Sequence, residues 1–438
     1  MRRLLAFLVP LLLVGLAVVV TRPGPDEAVP AADGADSQAR GGTIPDRYVV
    51  VLRDSVSDPD KVASEHGRRY GARVDHTYRH ALKGYSATIP ANRLDAVRSD
   101  PRVDYLSADR EVHATAELPT GVDRIDGEIT STKAGDGSQS GSQSVATPIA
   151  VIDTGSGPHS ELNRMGGTNC SSGSRYDDGN GHGTHVAGTA AAKDNGVGVV
   201  GLAPGAPIYS VRVLNNQGSG STSSVICGID WVTANASKIK VANMSLGGAG
   251  SDDGNCGSTN NDAEHKAICR SVASGITYAI AAGNDNTDLA KSVPSSYNEV
   301  LAVTAESDFN GKPGGGAAAT CRADVDETPA DFSNFATTGA DEDHTIAAPG
   351  VCIKSTWKGG GYNTTSGTSM ASPHAAGTAA LCIAQGQCTG QPANVIAKLR
   401  GDAAANTTTD GSYGFTGDPL HSPTPGKYYG HLIRADGY

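Results

Sequence analysis

Pro148-Ile149-Ala150-Val151-Ile152-Asp153-Thr154-Gly155 sets four successive apolar residues against an Asp-Thr-Gly turn. A short run that is apolar on both faces and closed by a turn reads as a strand buried within a parallel sheet. The same pattern recurs downstream. Strands are expected at 208–214, 241–245, 276–281, 300–303 and 345–347, and helices at 183–192, 221–236, 262–274 and 368–384. Nearly all-apolar strands separated by helices predict an α/β fold, a parallel sheet with helices on both faces.

The strand ending on Asp153 is followed by Gly181-His182-Gly183-Thr184-His185 and then by Gly367-Thr368-Ser369-Met370-Ala371-Ser372-Pro373-His374. Each motif lies where a strand or loop hands over to a helix, the place where an α/β scaffold displays reactive groups. Serine is a weak nucleophile at neutral pH, so Ser369 needs a base within hydrogen-bond reach; His182 is the candidate. An imidazole acting as base needs an orienting acceptor on its other nitrogen, and Asp153 can supply it. A serine in the first turn of a helix also meets free N–H groups that favour nearby negative charge.

In order and local sequence these three motifs resemble the subtilisin-like serine proteases. The resemblance implies a catalytic triad of Asp153, His182 and Ser369. In Ala281-Ala282-Gly283-Asn284 it implies that Asn284 is the side-chain donor to the oxyanion. It further implies that a substrate peptide lies between the segment Ser245, Leu246 and Gly247 and the segment Gly218 to Gly220. Ala282 and Gly283 would line an open first specificity pocket that takes apolar or mixed side chains. No cofactor is implied for the chemistry. A structural calcium is implied at Glu161 and Asn195, the latter in Lys193-Asp194-Asn195-Gly196-Val197-Gly198-Val199. Glu161 stands where the family usually has Asp, and a surface turn is the alternative reading of the loop.

The part before the motifs is organised differently. Met1-Arg2-Arg3 and the apolar run that follows read as a signal peptide over residues 1–21, a membrane anchor being the competing reading. Residues 22–44 are rich in Pro, Gly, Ala and Asp and read as a disordered spacer. From 45 to 116 strands at 48–52, 85–89 and 103–106 alternate with helices at 60–70 and 91–99, which suits a small α+β domain. This segment resembles the inhibitory propeptide of the same family. That likeness implies inhibition in cis, a tail laid in the active cleft, and autocleavage between His113 and Leu118. Residues 117–438 then form the peptidase domain, whose Gly-, Pro- and Tyr-rich tail after Arg400 has no clear period.

Composition narrows the function classes. At 438 residues, 38% apolar, the chain can bury a substantial core, and a formal charge of −11 speaks against a nucleic-acid partner. The partners expected are protein or peptide substrates and the chain's own propeptide, with the enzyme a monomer. All eight cysteines lie beyond residue 116, which in an exported chain reads as disulfides. Their pairing stays open, with chain neighbours preferred: 170 with 227, 256 with 269, 321 with 352, 382 with 388.

His159, His185 and His374 read as structural. An esterase would carry Gly-x-Ser-x-Gly with the serine first in chain order, whereas here Ala371 takes the last Gly position and Ser369 comes last. A silent binding scaffold is the rival from another class; competent residues at all four catalytic positions count against it.

Overall fold

The computed structural model describes residues 43–80, 82–110, 117–137 and 144–438. The expected leader, the spacer up to residue 42 and most of the expected autocleavage stretch lie outside them. The chain divides into two units, Met1–Val112 and His113–Tyr438.

The first unit runs β1 (Thr43–Leu52), α1 (Pro59–Tyr70), β2 (Arg73–Tyr78), β3 (Gly84–Thr88), α2 (Leu94–Arg98) and β4 (Val103–Arg110). α1 begins where Asp58 accepts the Lys61 N–H at 3.0 Å and Pro59 presets the first turn. The strands pair antiparallel in the order β2-β3-β1-β4, a ferredoxin-like arrangement. Val62, Ala63 and Val97 from the helices close a core with Val50, Tyr85, Ala87 and Ile89 from the sheet. β2 was not expected. It is an edge strand of mainly polar residues, half of them exposed and none buried, so it carries no apolar alternation.

The second unit contains α3 (Thr120–Arg124), β5 (Ile149–Asp153), β6 (Arg164–Asn169), α4 (His182–Ala191), β7 (Ile208–Arg212), α5 (Thr222–Ala234), β8 (Val241–Met244) and β9 (Gly248–Ala249). It continues with α6 (Ala263–Ala273), β10 (Thr277–Ala281), β11 (Ser292–Val293), β12 (Leu301–Ser307), β13 (Thr328–Pro329), α7 (Gly339–Glu342), β14 (Thr345–Pro349), β15 (Ile353–Trp357), β16 (Gly361–Thr365), α8 (Thr368–Ala384) and α9 (Pro392–Thr409). An eight-stranded sheet follows the order β13-β12-β10-β8-β5-β7-β6 with β14 also on β12, and every pair except β12 with β13 is parallel.

Alternate residues of one strand feed two separate cores. In β5, Ile149 and Val151 pack with α4 and α8, against Val186, Ala190, Ala375 and Ala379. Ala150 and Ile152 face the other way, to Val225, Ile229 and Val232 of α5 and Ile268 of α6. This two-sided burial is why the strands read as continuous apolar runs.

Disulfides join Cys170 to Cys227, Cys256 to Cys269, Cys321 to Cys352 and Cys382 to Cys388. The segment after Arg400 is part of the fold: α9 runs on to Thr409, and Phe415, Leu432 and Ile433 beyond it are buried.

Candidate active site

Along the sheet the chain passes from β5 to β7 and β6 on one side, then returns to β8 on the other. The carboxyl end of β5 is therefore a topological switch point, where open α/β sheets place their ligand sites. Asp153 is the last residue of β5 and is fully buried. Its Oδ1 and Oδ2 lie 2.8 and 3.0 Å from Nδ1 of His182, the first residue of α4. The imidazole is 29% exposed, so Nε2 is the nitrogen left for other chemistry.

Close approach of α4 to β5 depends on a glycine. A Cβ on Gly183 would sit 2.0 Å from the Gly155 carbonyl oxygen, so no larger residue fits there. The start of α4 is held by Asp178, buried, which accepts from the Gly181 and Thr184 N–H groups at 2.8 and 2.9 Å and from the Thr154 hydroxyl at 2.9 Å. Burial opposes charge on His182, but Asp153 and then Asp178 outweigh it, and the imidazole pKa is raised above its ordinary value.

Ser369 is the second residue of α8. Its Oγ lies 3.4 Å from the Ser245 carbonyl oxygen, and among the described residues no hydrogen bond joins it to His182. A buried chain fixes its backbone: Ser372 donates to Asn243 at 2.8 Å, Asn243 donates to Ser245 Oγ at 2.9 Å, and that hydroxyl donates to the Ser369 carbonyl at 2.8 Å. Asn284, just past β10, has its side-chain oxygen taken by the Thr368 N–H at 2.8 Å and the Thr368 hydroxyl at 3.0 Å. Its loop is clamped by Asn334, which donates to the Ala282 carbonyl and accepts from the Asp285 and Thr287 N–H groups. Gly283 has φ +105°, and a Cβ there would lie 2.4 Å from Asn334 Nδ2.

Comparison with known proteins accounts for both units. Residues 145–416 match the model of the subtilase family, and residues 47–115 match that of the peptidase inhibitor I9 domain. The chain is a subtilase. It is 32% identical over 364 residues to subtilisin E of Bacillus subtilis (strain 168), covering 81% of this chain and 85% of that protein. It is 36% identical over 394 residues to an extracellular serine proteinase of Thermus sp. (strain Rt41A), covering 81% and 84%. A crystal structure of a cold-adapted subtilisin-like serine proteinase aligns with TM-score 0.52 and 31% identity, covering 74% of this chain and 99% of that one. The subtilase is thus a serine endopeptidase with an inhibitory propeptide.

The remaining residues expected at the site fall around two adjoining cavities of the subtilase. One, of about 560 Å3, is lined by His182, Gly218, Gly220, Ser245, Leu246 and Gly247. The other, of about 410 Å3, is lined by Leu246, Gly247, Ala282, Gly283, Asn284 and Ser369. Leu246 to Ala249 and Val293 are common to both walls. Asp285 and Lys291 also line the second cavity, one charge of each sign.

Two further histidines lie close by but are sealed off. His185 is buried, its Nε2 2.9 Å from the Ile353 carbonyl, and burial holds its pKa down at about 3. His374 is buried, its Nδ1 2.9 Å from the Met370 carbonyl, and burial holds it at about 4. Both are neutral: His185 ties α4 to β15, while His374 bonds back within its own helix.

At the expected calcium residues, Glu161 is buried; its Oε1 accepts the Ser160 hydroxyl at 3.3 Å, and Oε2 has no hydrogen-bond partner. Asn195 Oδ1 accepts the Val197 N–H at 3.1 Å, folding the loop back on itself. The orphaned buried carboxylate oxygen of Glu161, whose backbone carbonyl accepts from the Lys193 N–H at the start of the loop at 2.9 Å, fits the hard-oxygen preference of Ca²⁺. Asp178, Asn243 and Asn334 escaped the sequence reading: each is a lone polar residue that acts only through its contacts, and no local motif marks it. Ser372 stands inside the Ser369 motif, but its part in holding the Ser369 backbone shows only in its bond to Asn243.

Proposed function

We propose that the subtilase hydrolyses peptide bonds with Ser369 as nucleophile, His182 as general base and then acid, and Asp153 as orienter. The observation that carries this reading is the Asp153–His182 pair at 2.8 Å, at the edge of the cavities that His182 and Ser369 line. Rotation about the Ser369 Cα–Cβ bond moves Oγ from the Ser245 carbonyl toward His182 Nε2, a tightening that apo serine hydrolases leave to the substrate. Oγ attacks the scissile carbonyl while Nε2 takes its proton; Nε2 returns that proton to the amine as the C–N bond breaks, leaving an acyl ester on Ser369. A water deprotonated by the same Nε2 then hydrolyses the ester, which frees the acid and restores the hydroxyl. The oxyanion meets the Ser369 N–H and the Asn284 amide N–H groups. The amide is oriented because Thr368 occupies its oxygen.

The substrate backbone pairs with Ser245, Leu246 and Gly247 on one side and with Gly218 and Gly220 on the other, as an added strand. Ala282 and Gly283 admit apolar or mixed side chains beside Ser369. The leader, residues 1–21, exports the chain, and no described helix is long and apolar enough to cross a membrane. The enzyme cuts its own chain between His113 and Leu118, separating the domain 45–116 from a monomeric peptidase of 117–438. Glu161 and Asn195 hold a structural calcium that takes no part in the chemistry. Casein hydrolysis and labelling by a serine-directed phosphonate test the triad. Both are expected from wild type and neither from Ser369→Ala; turnover or labelling retained by the variant refutes it.

A further inference from the structure

The cavity that holds His182 has one other ionisable residue in its wall, Glu264. Glu264 belongs to the first turn of α6, is 7% exposed, and its carboxylate accepts no hydrogen bond among the described residues. A carboxylate without a partner at the edge of a cavity is costly to leave bare, because burial penalises its charge and nothing offsets it. The Glu264 and His265 N–H groups at the start of α6 are already taken by Asp262, so only the helix dipole favours negative charge there. Burial, reinforced by Asp262, raises its pKa to about 7.

The groups around it add further negative charge. On α6, Asp262 caps the helix by accepting from the Glu264 N–H at 2.9 Å and also takes the Tyr297 hydroxyl at 2.6 Å. His265, the neighbouring imidazole, is turned into its own carboxylates: Nε2 meets Glu299 at 2.9 Å, and Nδ1 lies 3.4 Å from both Asp252 and Asp253. Its ring is stacked on Tyr297 at 4.0 Å, which fixes that direction. The rest of the cavity wall consists of Asn180, glycine, serine, threonine and apolar residues such as Leu214, Val225 and Ala249. Among the described residues, no Lys or Arg lines this cavity beside Glu264.

We propose that Glu264 makes this cavity a subsite for a basic side chain of the substrate, a Lys or Arg on the acyl side of the scissile bond. The inference rests on the reading of the Ser245–Gly247 and Gly218–Gly220 segments as the walls that hold substrate. An aliphatic stem packs along Leu214 and Val225 while its ammonium or guanidinium reaches Glu264, so both the apolar and the charged part of the cavity are used. The preference is separate from that of the cavity at Ser369, whose Asp285 and Lys291 carry opposite charges. The bond cut thus need not follow a basic residue, while a basic residue upstream accelerates cleavage.

The test is a set of fluorogenic peptides carrying Lys, Leu, Gln or Glu at each of several positions upstream of a fixed cleavage site, assayed with the mature enzyme. At pH 8.5 one upstream position is expected to favour Lys over Glu by at least about tenfold in kcat/KM, the scale on which like charges are rejected. The Lys-to-Leu ratio at that position is expected to fall as pH drops below about 7, a comparison in which the titration of His182 cancels. Glu264→Gln is expected to collapse the Lys-to-Glu preference, and Glu264→Lys to invert it. Wild-type enzyme that cleaves the Leu peptide but shows no charge preference at any upstream position overturns the subsite. So does an unchanged preference in folded Glu264→Gln. If wild type cleaves none of the peptides and no casein, the peptidase reading itself fails instead.

Discussion

The Asn284 side-chain oxygen is held 2.8 Å from the Thr368 backbone N–H, one residue before Ser369. With the oxygen engaged by both donors of Thr368, the amide can present only its N–H groups to a reacting carbonyl. Asn284→Ala is expected to lower kcat by about 100- to 1,000-fold with little change in KM, the scale set by subtilisin itself. Thr368→Val keeps the backbone bond and loses the hydroxyl bond at 3.0 Å, so a smaller loss of about 2- to 10-fold is expected. Steady-state kinetics on one peptide substrate measure both; equal losses in the two variants would contradict the division of roles.

Calcium gives a second test. Glu161 has a buried oxygen without a partner, and a bound ion would stabilise the folded state by mass action. Chelator is expected to lower the melting temperature of wild type by several degrees and to leave Glu161→Gln unmoved. A wild-type melting curve indifferent to chelator and to added Ca²⁺ would remove the site.

The reach of the sequence follows from how each residue earns its position. β5, β8 and β10 were readable because both faces are buried, which forces contiguous apolar runs. Asp153, His182 and Ser369 were readable because each sits in a local motif. β6 was not: Arg164-Met165-Gly166-Gly167-Thr168-Asn169 has two glycines and little strand propensity, and is extended because it pairs with β7 at the sheet edge. α9 carries buried Val395, Ile396, Leu399 and Ala403 at helical spacing, yet Gly401 and the closing threonines hide the pattern. The β15–β16 hairpin was hidden similarly, its second strand being mostly exposed and polar.

The disulfides predict a graded effect. Cys170 and Cys227 are 57 residues apart and Cys382 and Cys388 only 6. On loop entropy the first bridge restricts the unfolded chain by about 4 kcal/mol and the second by about 2 kcal/mol. Replacing each pair with serines and measuring urea unfolding is expected to show the larger loss for 170 and 227; the reverse order would mean that strain or local packing, not chain closure, decides their value.

The pH dependence of turnover follows from the two carboxylates near His182. Burial alone would depress the imidazole pKa, but Asp153 and Asp178 together raise it. The base must be neutral to accept the Ser369 proton, so the acid limb of kcat/KM is expected above pH 6.5, the ordinary histidine value. The same shift stabilises the folded enzyme fully below the unfolded value and is lost as pH rises through the folded one. Asp178→Asn removes one of the raising charges and keeps an acceptor for the α4 N–H groups, so the limb should move toward lower pH. The variant also loses part of the cap, a loss read separately as a lower melting temperature. A limb unmoved in a folded Asp178→Asn enzyme would show that Asp153 alone sets the charge on His182.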